Sequence, residues 1–85
     1  MIDNKNLLKI LRTELRKMSD RKRLKFLTYK KDRSITVEKT GDSFEVIENG
    51  YRKIAWHNLT EAEVLKQIKK VQKIEFPRSN KLYLV

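Results

Sequence analysis

The chain has no cysteine, and its 85 residues include only two glycines and one proline. Without cysteine, neither a disulfide framework nor a thiolate metal site is possible. So little glycine and proline argues against a disordered chain, and 39% hydrophobic residues supply apolar side chains for a core. We expect one domain spanning residues 1–85, because a chain of this length has no room for two independent cores.

Long apolar runs are also missing. Residues 1–18 place Asp3 and several cations among their apolar residues, so they lack the continuous apolar region of a signal peptide. No stretch approaches the roughly 18 apolar residues that a membrane-spanning helix requires. The sequence therefore predicts a soluble, cytoplasmic protein.

Motifs for catalysis and cofactor binding are absent as well. The single histidine, His57, cannot build a zinc site without cysteine, and no HExxH-like spacing occurs. Gly41 and Gly50 both lie in predicted turns, so there is no glycine-rich phosphate loop. The carboxylates are scattered without a recognisable catalytic spacing. We expect no catalysis, no metal and no cofactor, and a structural or incidental role for His57.

Positive charge, in contrast, is abundant, with 21 Lys and Arg against 11 Asp and Glu and a formal net charge of +10. Residues 1–33 hold 12 basic and 4 acidic side chains, whereas residues 34–57 hold 3 and 4. In residues 16–33, nine of eighteen residues are Lys or Arg, and Phe26 and Tyr29 lie among them. Such a concentration of cations indicates a polyanionic partner, most often nucleic acid.

The first apolar pattern predicts a helix from about residue 4 to residue 18, capped by Asp3 or Asn4. Its apolar face consists of Leu7, Leu8, Leu11, Leu15 and Met18. A basic stripe at helical spacing lies beside that face and consists of Lys5, Lys9, Arg12 and Arg16. Both a solvated face and a ligand-binding face fit this stripe. Glu14 is the only acid beyond the cap, which favours binding, because faces that serve solubility usually mix signs.

Residues 24–29 fit both a short helix and a strand, and the parity of strand pairing favours the strand. A four-residue hairpin loop over residues 30–33 pairs Phe26 with Val37 and Lys25 with Glu38. Apolar partners then share one face, and an opposite-charge pair lies on the other. Phe26 is accordingly a predicted core residue, while Tyr29 lies outside, where an aromatic ring is able to stack on an exposed base.

Residues 34–57 alternate apolar and polar side chains and predict antiparallel strands. Gly41-Asp42 fits a two-residue type II′ turn, and Glu48-Asn49-Gly50 fits an odd-length loop with Gly50 left-handed. The predicted inner face consists of Ile35, Val37, Phe44, Val46, Ile54 and Trp56, with Trp56 as the anchor of the core. The outward face carries Glu38 and Glu45, which repel phosphate, so it is a poor candidate for the contact surface. Tyr51 is an exposed aromatic that we assign to its turn.

The second helix has the clearest local signal. Thr60 and Glu63 form a capping box, and Leu59 and Val64 form a hydrophobic staple. We expect this helix to run to about Lys73, with an outer lysine face that the helix dipole explains without a ligand. After a turn, the run Leu82-Tyr83-Leu84-Val85 predicts a short edge strand, which is able to pair with another copy or another protein.

These patterns predict an α+β domain with an N-terminal helix, a three- to four-stranded antiparallel meander, a second helix and a short C-terminal strand. The leading functional hypothesis is a small, non-catalytic nucleic-acid-binding protein that uses the first helix and residues 16–33. The predicted contact residues are Arg12, Arg16, Arg21, Lys22, Arg23, Tyr29, Lys30, Lys31 and Arg33. Contact with about six phosphates gives a slope of roughly −5 for log affinity against log salt on duplex DNA.

Two alternatives remain open at the level of sequence. A regulatory or inhibitory protein would dock the same basic face on an acidic protein partner, since charge steers that association equally well. Peripheral binding to an anionic membrane through the first helix would require Leu7, Leu8 and Leu11 to be exposed. The sequence does not distinguish DNA from RNA, or single from double strands.

Overall fold

The chain forms one six-stranded antiparallel sheet with both helices on one face. A computed structural model describes all residues from 1 to 85. The elements are β1 (Ile2–Asp3), α1 (Leu7–Lys17), β2 (Arg23–Leu27), β3 (Ser34–Thr40), β4 (Ser43–Asn49), β5 (Lys53–Leu59), α2 (Glu61–Glu75) and β6 (Lys81–Leu84). The predicted α+β class is confirmed, with more strands than expected.

The strand order in the sheet is β1-β6-β2-β3-β4-β5, and every neighbouring pair is antiparallel. Strands β2 to β5 form the predicted meander, with four strands. Strand β6 lies between β2 and β1, so it is not the edge strand that we expected. The two-residue β1 pairs only with Lys81 and Leu82, and a strand this short leaves no alternation pattern to read in a sequence.

Helix α1 follows a single 3₁₀ turn at Asn4–Asn6, and Leu7, Leu11 and Leu15 are buried on one side as predicted. The predicted cap is wrong, because the side chain of Asp3 makes no capping hydrogen bond. Asn4 instead binds the segment after α2, as described below.

Residues 23–27 form a strand, but its register with β3 differs from the prediction. Phe26 lies opposite Ile35 rather than Val37, and Glu38 lies opposite Arg23 rather than Lys25. The four-residue loop spans residues 29–32 instead of 30–33. This shift preserves parity, so Phe26 still faces the core and is fully buried.

The two turns within the meander differ in how well they match their predictions. Thr40 pairs with Ser43 across Gly41-Asp42, and the φ of 63° at Gly41 fits the predicted type II′ turn. The next loop has the predicted odd length but spans residues 50–52, because Asn49 pairs with Lys53. Gly50 does not have a positive φ, so its predicted left-handed conformation is wrong.

Helix α2 begins with the predicted capping box. The backbone N–H of Glu63 donates to Thr60 Oγ1 at 3.2 Å, and the backbone N–H of Thr60 donates to Glu63 Oε1 at 2.9 Å. These bonds hold the pKa of Glu63 below its ordinary value. The helix ends at Glu75, two residues beyond the expected end.

The core lies between the helices and the inner sheet face, and 14 hydrophobic residues are buried in it. Phe26, Phe76 and Ile68 are among its largest fully buried side chains. Trp56 does not anchor the core; it is half-buried on β5, an edge strand whose far side has no neighbour. Leu7 and Leu11 are fully buried and Leu8 is half-buried against the core, so α1 does not present the exposed apolar face that membrane binding through it would require. Neither helix has the length and apolar character needed to cross a membrane.

Candidate nucleic-acid interface

The predicted contact residues divide between the two ends of β2. Residues 16 and 21–23 lie at the start of β2, together with the β3–β4 turn; we call this the corner end. Residues 29–33 lie beyond the far end of β2, and we call the surface around them the loop end. Tyr29 is six positions after Arg23, which corresponds to about 20 Å of extended chain. Arg12 lies one helical turn before Arg16 on α1. The fold therefore does not gather the nine predicted residues into one cluster.

At the corner end, acidic neighbours partner two of the cations. Arg23 Nη2 lies 3.0 Å from Glu38 Oε2, and Arg16 Nε lies 3.7 Å from Glu61 Oε1. Arg21 has a φ of 68° and donates its backbone N–H to the Lys39 carbonyl at 2.8 Å, which fixes the corner against β3. These ion pairs reduce the positive charge that the corner presents.

At the loop end, the β2–β3 loop is held by its own hydrogen bonds. Thr28 donates its backbone N–H to the Arg33 carbonyl at 3.1 Å and its hydroxyl to Asp32 Oδ1 at 2.8 Å. The Lys31 N–H donates to the Thr28 carbonyl at 2.9 Å, and Lys31 has a φ of 62°. The bond from Thr28 lowers the pKa of Asp32 below its ordinary value. Lys30 and Lys31 are exposed, and neither forms an ion pair.

The loop places Tyr29 against Tyr83 of β6. Leu27 and Tyr83 are register partners, so Tyr29, two residues further along, is a diagonal neighbour of Tyr83 on the same sheet face. The two rings stack with centroids 6.2 Å apart and an interplanar angle of 19°. The Lys31 ammonium lies 5.1 Å from the centroid of the Tyr83 ring. Tyr29 is 71% exposed, so the stack is open to solvent.

The third tyrosine of the chain, Tyr51, lies in the neighbouring β4–β5 loop and pairs with Arg33. The Arg33 guanidinium carbon is 3.8 Å from the Tyr51 ring centroid, within the range of a cation–π contact. Arg33 Nη1 also donates to the backbone carbonyl of Glu75 at 3.3 Å. Arg33, a predicted phosphate contact, is therefore half-buried and oriented by two neighbours, and Tyr51 remains 68% exposed.

A buried carboxylate holds the loop that carries Tyr51. Glu75 Oε1 accepts the backbone N–H of Tyr51 at 3.0 Å, and Glu75 Oε2 accepts that of Arg52 at 3.3 Å. Arg52 in turn donates from Nε and Nη2 to the Glu48 carboxylate, at 3.1 and 3.0 Å. Sequence reasoning treated the carboxylates as scattered, whereas the fold brings Glu48 and Glu75 together.

The pKa values of these two carboxyls are shifted in opposite directions from their ordinary values. Burial raises the pKa of Glu48, a hydrogen bond with Glu75 adds to the rise, and Arg52 opposes it. Burial alone would also raise the pKa of Glu75, but hydrogen bonds from Glu48 and from two loop N–H groups lower it below its ordinary value. Both side chains are shielded from solvent, and their oxygens bind the chain itself. The pair therefore stabilises the conformation of the β4–β5 loop.

The segment after α2 completes the loop end and carries Arg78. Asn4 Nδ2 donates to the backbone carbonyls of Phe76 and Ser79, both at 2.8 Å. Gln72 Nε2 donates to the Asn4 carbonyl at 2.8 Å and to Asn4 Oδ1 at 2.7 Å. These bonds fix the path of residues 76–79 beside the β2–β3 loop.

Two adjacent grooves open at the loop end, each of about 580 Å³. The first, which we call the Tyr29 groove, is lined by Tyr29, Lys30, Asp32 and Lys81 among others. The second, the Tyr51 groove, is lined by Tyr51 and Pro77 and by no acidic residue. Arg33, Arg78 and Ser79 line both grooves.

Comparisons with protein-family models, curated proteins and solved structures find no match to this chain.

Sequence reasoning identified Tyr29, Lys30, Lys31 and Arg33 as contact residues but missed Tyr83 and Arg78. Tyr83 reaches the site only because β6 inserts beside β2, a pairing between distant parts of the chain that local patterns do not encode. Arg78 lies in a predicted turn, where no pattern indicates a contact residue. Tyr51 is predicted to be exposed and to belong to its turn; its contact with Arg33, 18 positions away, leaves no local signal in the sequence. His57, the only histidine, lies on the outer sheet face of β5 with Nδ1 3.0 Å from Glu45 Oε1.

Proposed function

We propose that this protein is a small, non-catalytic nucleic-acid-binding protein and that the loop end is its contact surface. One observation carries the proposal: all three tyrosines of the chain lie at this end of the sheet, Tyr29 stacked on Tyr83 and Tyr51 on Arg33, among cations that include Lys30, Lys31 and Arg78. Aromatic rings provide faces on which bases stack, and the cations neutralise phosphates. Cations outnumber the acids there: Asp32 is the only acidic residue that lines either groove, against Lys30, Arg33 and Arg78, and Glu75 is buried.

Salt dependence is the direct test of this proposal. If four cations each meet one phosphate, log affinity falls against log salt with a slope of about −3 on single strands and about −4 on duplex. Between about 50 and 200 mM salt, affinity then decreases roughly 50- to 150-fold. Fluorescence anisotropy with labelled DNA and RNA oligonucleotides measures this slope, and a flat response to salt would overturn the proposal.

A pair of charge-reversal variants tests whether the loop end is the contact surface. Lys30→Glu/Lys31→Glu should abolish most binding, because it places two negative charges beside the tyrosine stack. Lys69→Glu/Lys70→Glu makes the same change in net charge on the exposed face of α2, outside the lining of both grooves. Equal losses in both variants would mean that binding follows net charge alone.

An acidic protein partner is the second candidate. It is supported by the unpaired outer edge of β5 and by the helix-free sheet face, where Ala55 is exposed and Ile47 half-buried. Charge steering toward an acidic partner uses the same cations as the first proposal. A purified partner complex that survives nuclease treatment would favour this candidate, whereas loss of the partner on digestion would favour nucleic acid.

A further inference from the structure

The two grooves of the loop end differ from the flat, purely cationic surface that suffices for binding a duplex backbone. Each groove is lined by one exposed tyrosine, Tyr29 in one and Tyr51 in the other. Their shared wall carries the two arginines Arg33 and Arg78. The two adjoining grooves therefore have a tyrosine ring in each and two arginine side chains between them.

From this arrangement, we infer that the loop end is a site for single-stranded nucleic acid, with one base on Tyr29, another on Tyr51 and phosphate between them on Arg33 and Arg78. The inference rests on the proposed function and specifies its ligand. Single strands fit because their bases have free faces, whereas duplex bases are covered above and below by their neighbours.

The base platform at Tyr29 is preorganised by its surroundings. Tyr83 stacks on one side of the ring, and the loop hydrogen bonds of Thr28 fix the backbone that carries Tyr29. A ring already held in place loses little conformational freedom on binding, and this reduces the entropic cost of association. The opposite face of the Tyr29 ring remains accessible, as its 71% exposure indicates.

Contacts with Arg33 and Glu75 hold Tyr51 in place in a comparable way. Arg33 lies over the Tyr51 ring, and Glu75 binds the backbone N–H of Tyr51. Only one N–H of the Arg33 guanidinium is used in the fold, for the Glu75 carbonyl. A guanidinium has five N–H donors, so Arg33 keeps donors for a phosphate while it supports the ring.

Charge favours a phosphate at the shared wall. No carboxylate lines the Tyr51 groove, and Asp32, the one acid in the Tyr29 groove, is outnumbered there by Lys30, Arg33 and Arg78. Arg78 is exposed and forms no ion pair. A phosphate between Arg33 and Arg78 therefore meets two guanidinium groups, which favour the planar, bidentate geometry of phosphate oxygens.

The test uses the full chain with oligothymidine and oligouridine of about six nucleotides, neither of which forms duplex alone, and with a G·C-rich duplex of about twelve base pairs, whose stacking keeps it paired. We expect tighter binding of at least one single strand than of the duplex at equal salt. Tyr29→Ala and Tyr51→Ala should each weaken single-strand binding roughly 5- to 150-fold, the effect of losing one stacked base. Tyr29→Phe and Tyr51→Phe retain the ring and should bind like the wild type.

The phosphate contact has its own readout. Arg78→Ala should reduce the magnitude of the salt slope on the single strand by about 0.7, whereas Lys69→Ala, which removes one charge from α2, should leave it unchanged. Circular dichroism checks that each variant is folded; both tyrosines are largely exposed, so their removal leaves the core intact. Wild-type affinity in both tyrosine-to-alanine variants, or tighter binding of the duplex, would overturn the single-strand inference alone. Loss of salt-dependent binding to every probe would overturn the proposed function as well.

Discussion

Gly50 lies where any side chain would collide with the carboxylate of Glu75. A Cβ atom on Gly50 would lie 2.1 Å from Glu75 Oε1 and 3.0 Å from the Arg33 side chain. Carboxylate tips usually move aside, but this one is fully buried and accepts two backbone N–H groups of the loop. The requirement for glycine is therefore steric, and it arises from a residue 25 positions away. Sequence reasoning attributed this glycine to backbone conformation, the commoner cause in an Asn-Gly turn.

Gly50→Ala should destabilise the fold by about 1–3 kcal/mol, the usual cost of overpacking a filled site. In a Glu75→Ala background the added cost should shrink, because the colliding oxygen is gone. Urea unfolding of the four proteins in this double-mutant cycle measures the coupling, which we expect to be about 0.5–3 kcal/mol. Gly41→Ala is the matched control: its Cβ meets no atom, and its cost arises from a φ of 63°. That cost should be the same with and without Glu75, and an uncoupled Gly50→Ala would contradict the steric explanation.

Among the elements, those with a local signal were predictable. The Thr60–Glu63 capping box and the Gly41-Asp42 turn depend on residues at most three positions apart, and both are present as expected. The β2–β3 hairpin was predictable only in parity. The alternation of apolar and polar residues determines which face of the sheet each residue occupies, but two registers that differ by two residues give the same faces. Its loop is determined by the bond from the Thr28 hydroxyl to Asp32 and by the left-handed Lys31. The apolar pattern carries no information about either feature.

The register of this hairpin is testable through its charged pair. In the structure, Glu38 lies opposite Arg23, whereas the register predicted from the sequence places it opposite Lys25. A double-mutant cycle with Arg23→Ala and Glu38→Ala should give a coupling of about 0.2–1 kcal/mol, as exposed cross-strand ion pairs do. The same cycle with Lys25→Ala and Glu38→Ala should give a smaller coupling, because Lys25 is only a diagonal neighbour of Glu38. If Lys25 couples to Glu38 more strongly than Arg23 does, the hairpin has the register predicted from the sequence and not the one in the structure. Thermal unfolding at low salt provides the most sensitive measurement, since salt screens exposed pairs.

Across the whole molecule, the fold separates charges that the sequence places in one segment. Residues 16–33 form a nearly continuous basic run, yet β2 carries its two halves to opposite ends of the sheet. The ends are about 20 Å apart along β2, which exceeds the screening length of roughly 8 Å at physiological salt, so they act on a ligand independently. Four of the nine predicted contacts therefore lie in the candidate site, while Tyr83 and Arg78 enter it from the C-terminal part of the chain. Such long-range assembly depends on packing, and no local pattern in the sequence records it.

This separation predicts that ligand length decides which end matters. Lys30→Ala/Lys31→Ala should weaken binding of single strands of any length, since these lysines lie beside the tyrosine stack.

Arg21→Ala/Lys22→Ala removes the same charge at the corner end and serves as the matched control. It should leave the affinity for a strand of about four nucleotides unchanged, because so short a ligand occupies the loop end only. On a strand of about twenty nucleotides, which reaches both ends, it should reduce the magnitude of the salt slope by up to about 1.4. Anisotropy titrations with both lengths at several salt concentrations measure these slopes. Equal weakening of the short strand by the two double variants would show that the corner takes part in the same site, contrary to the separation of the two ends along β2.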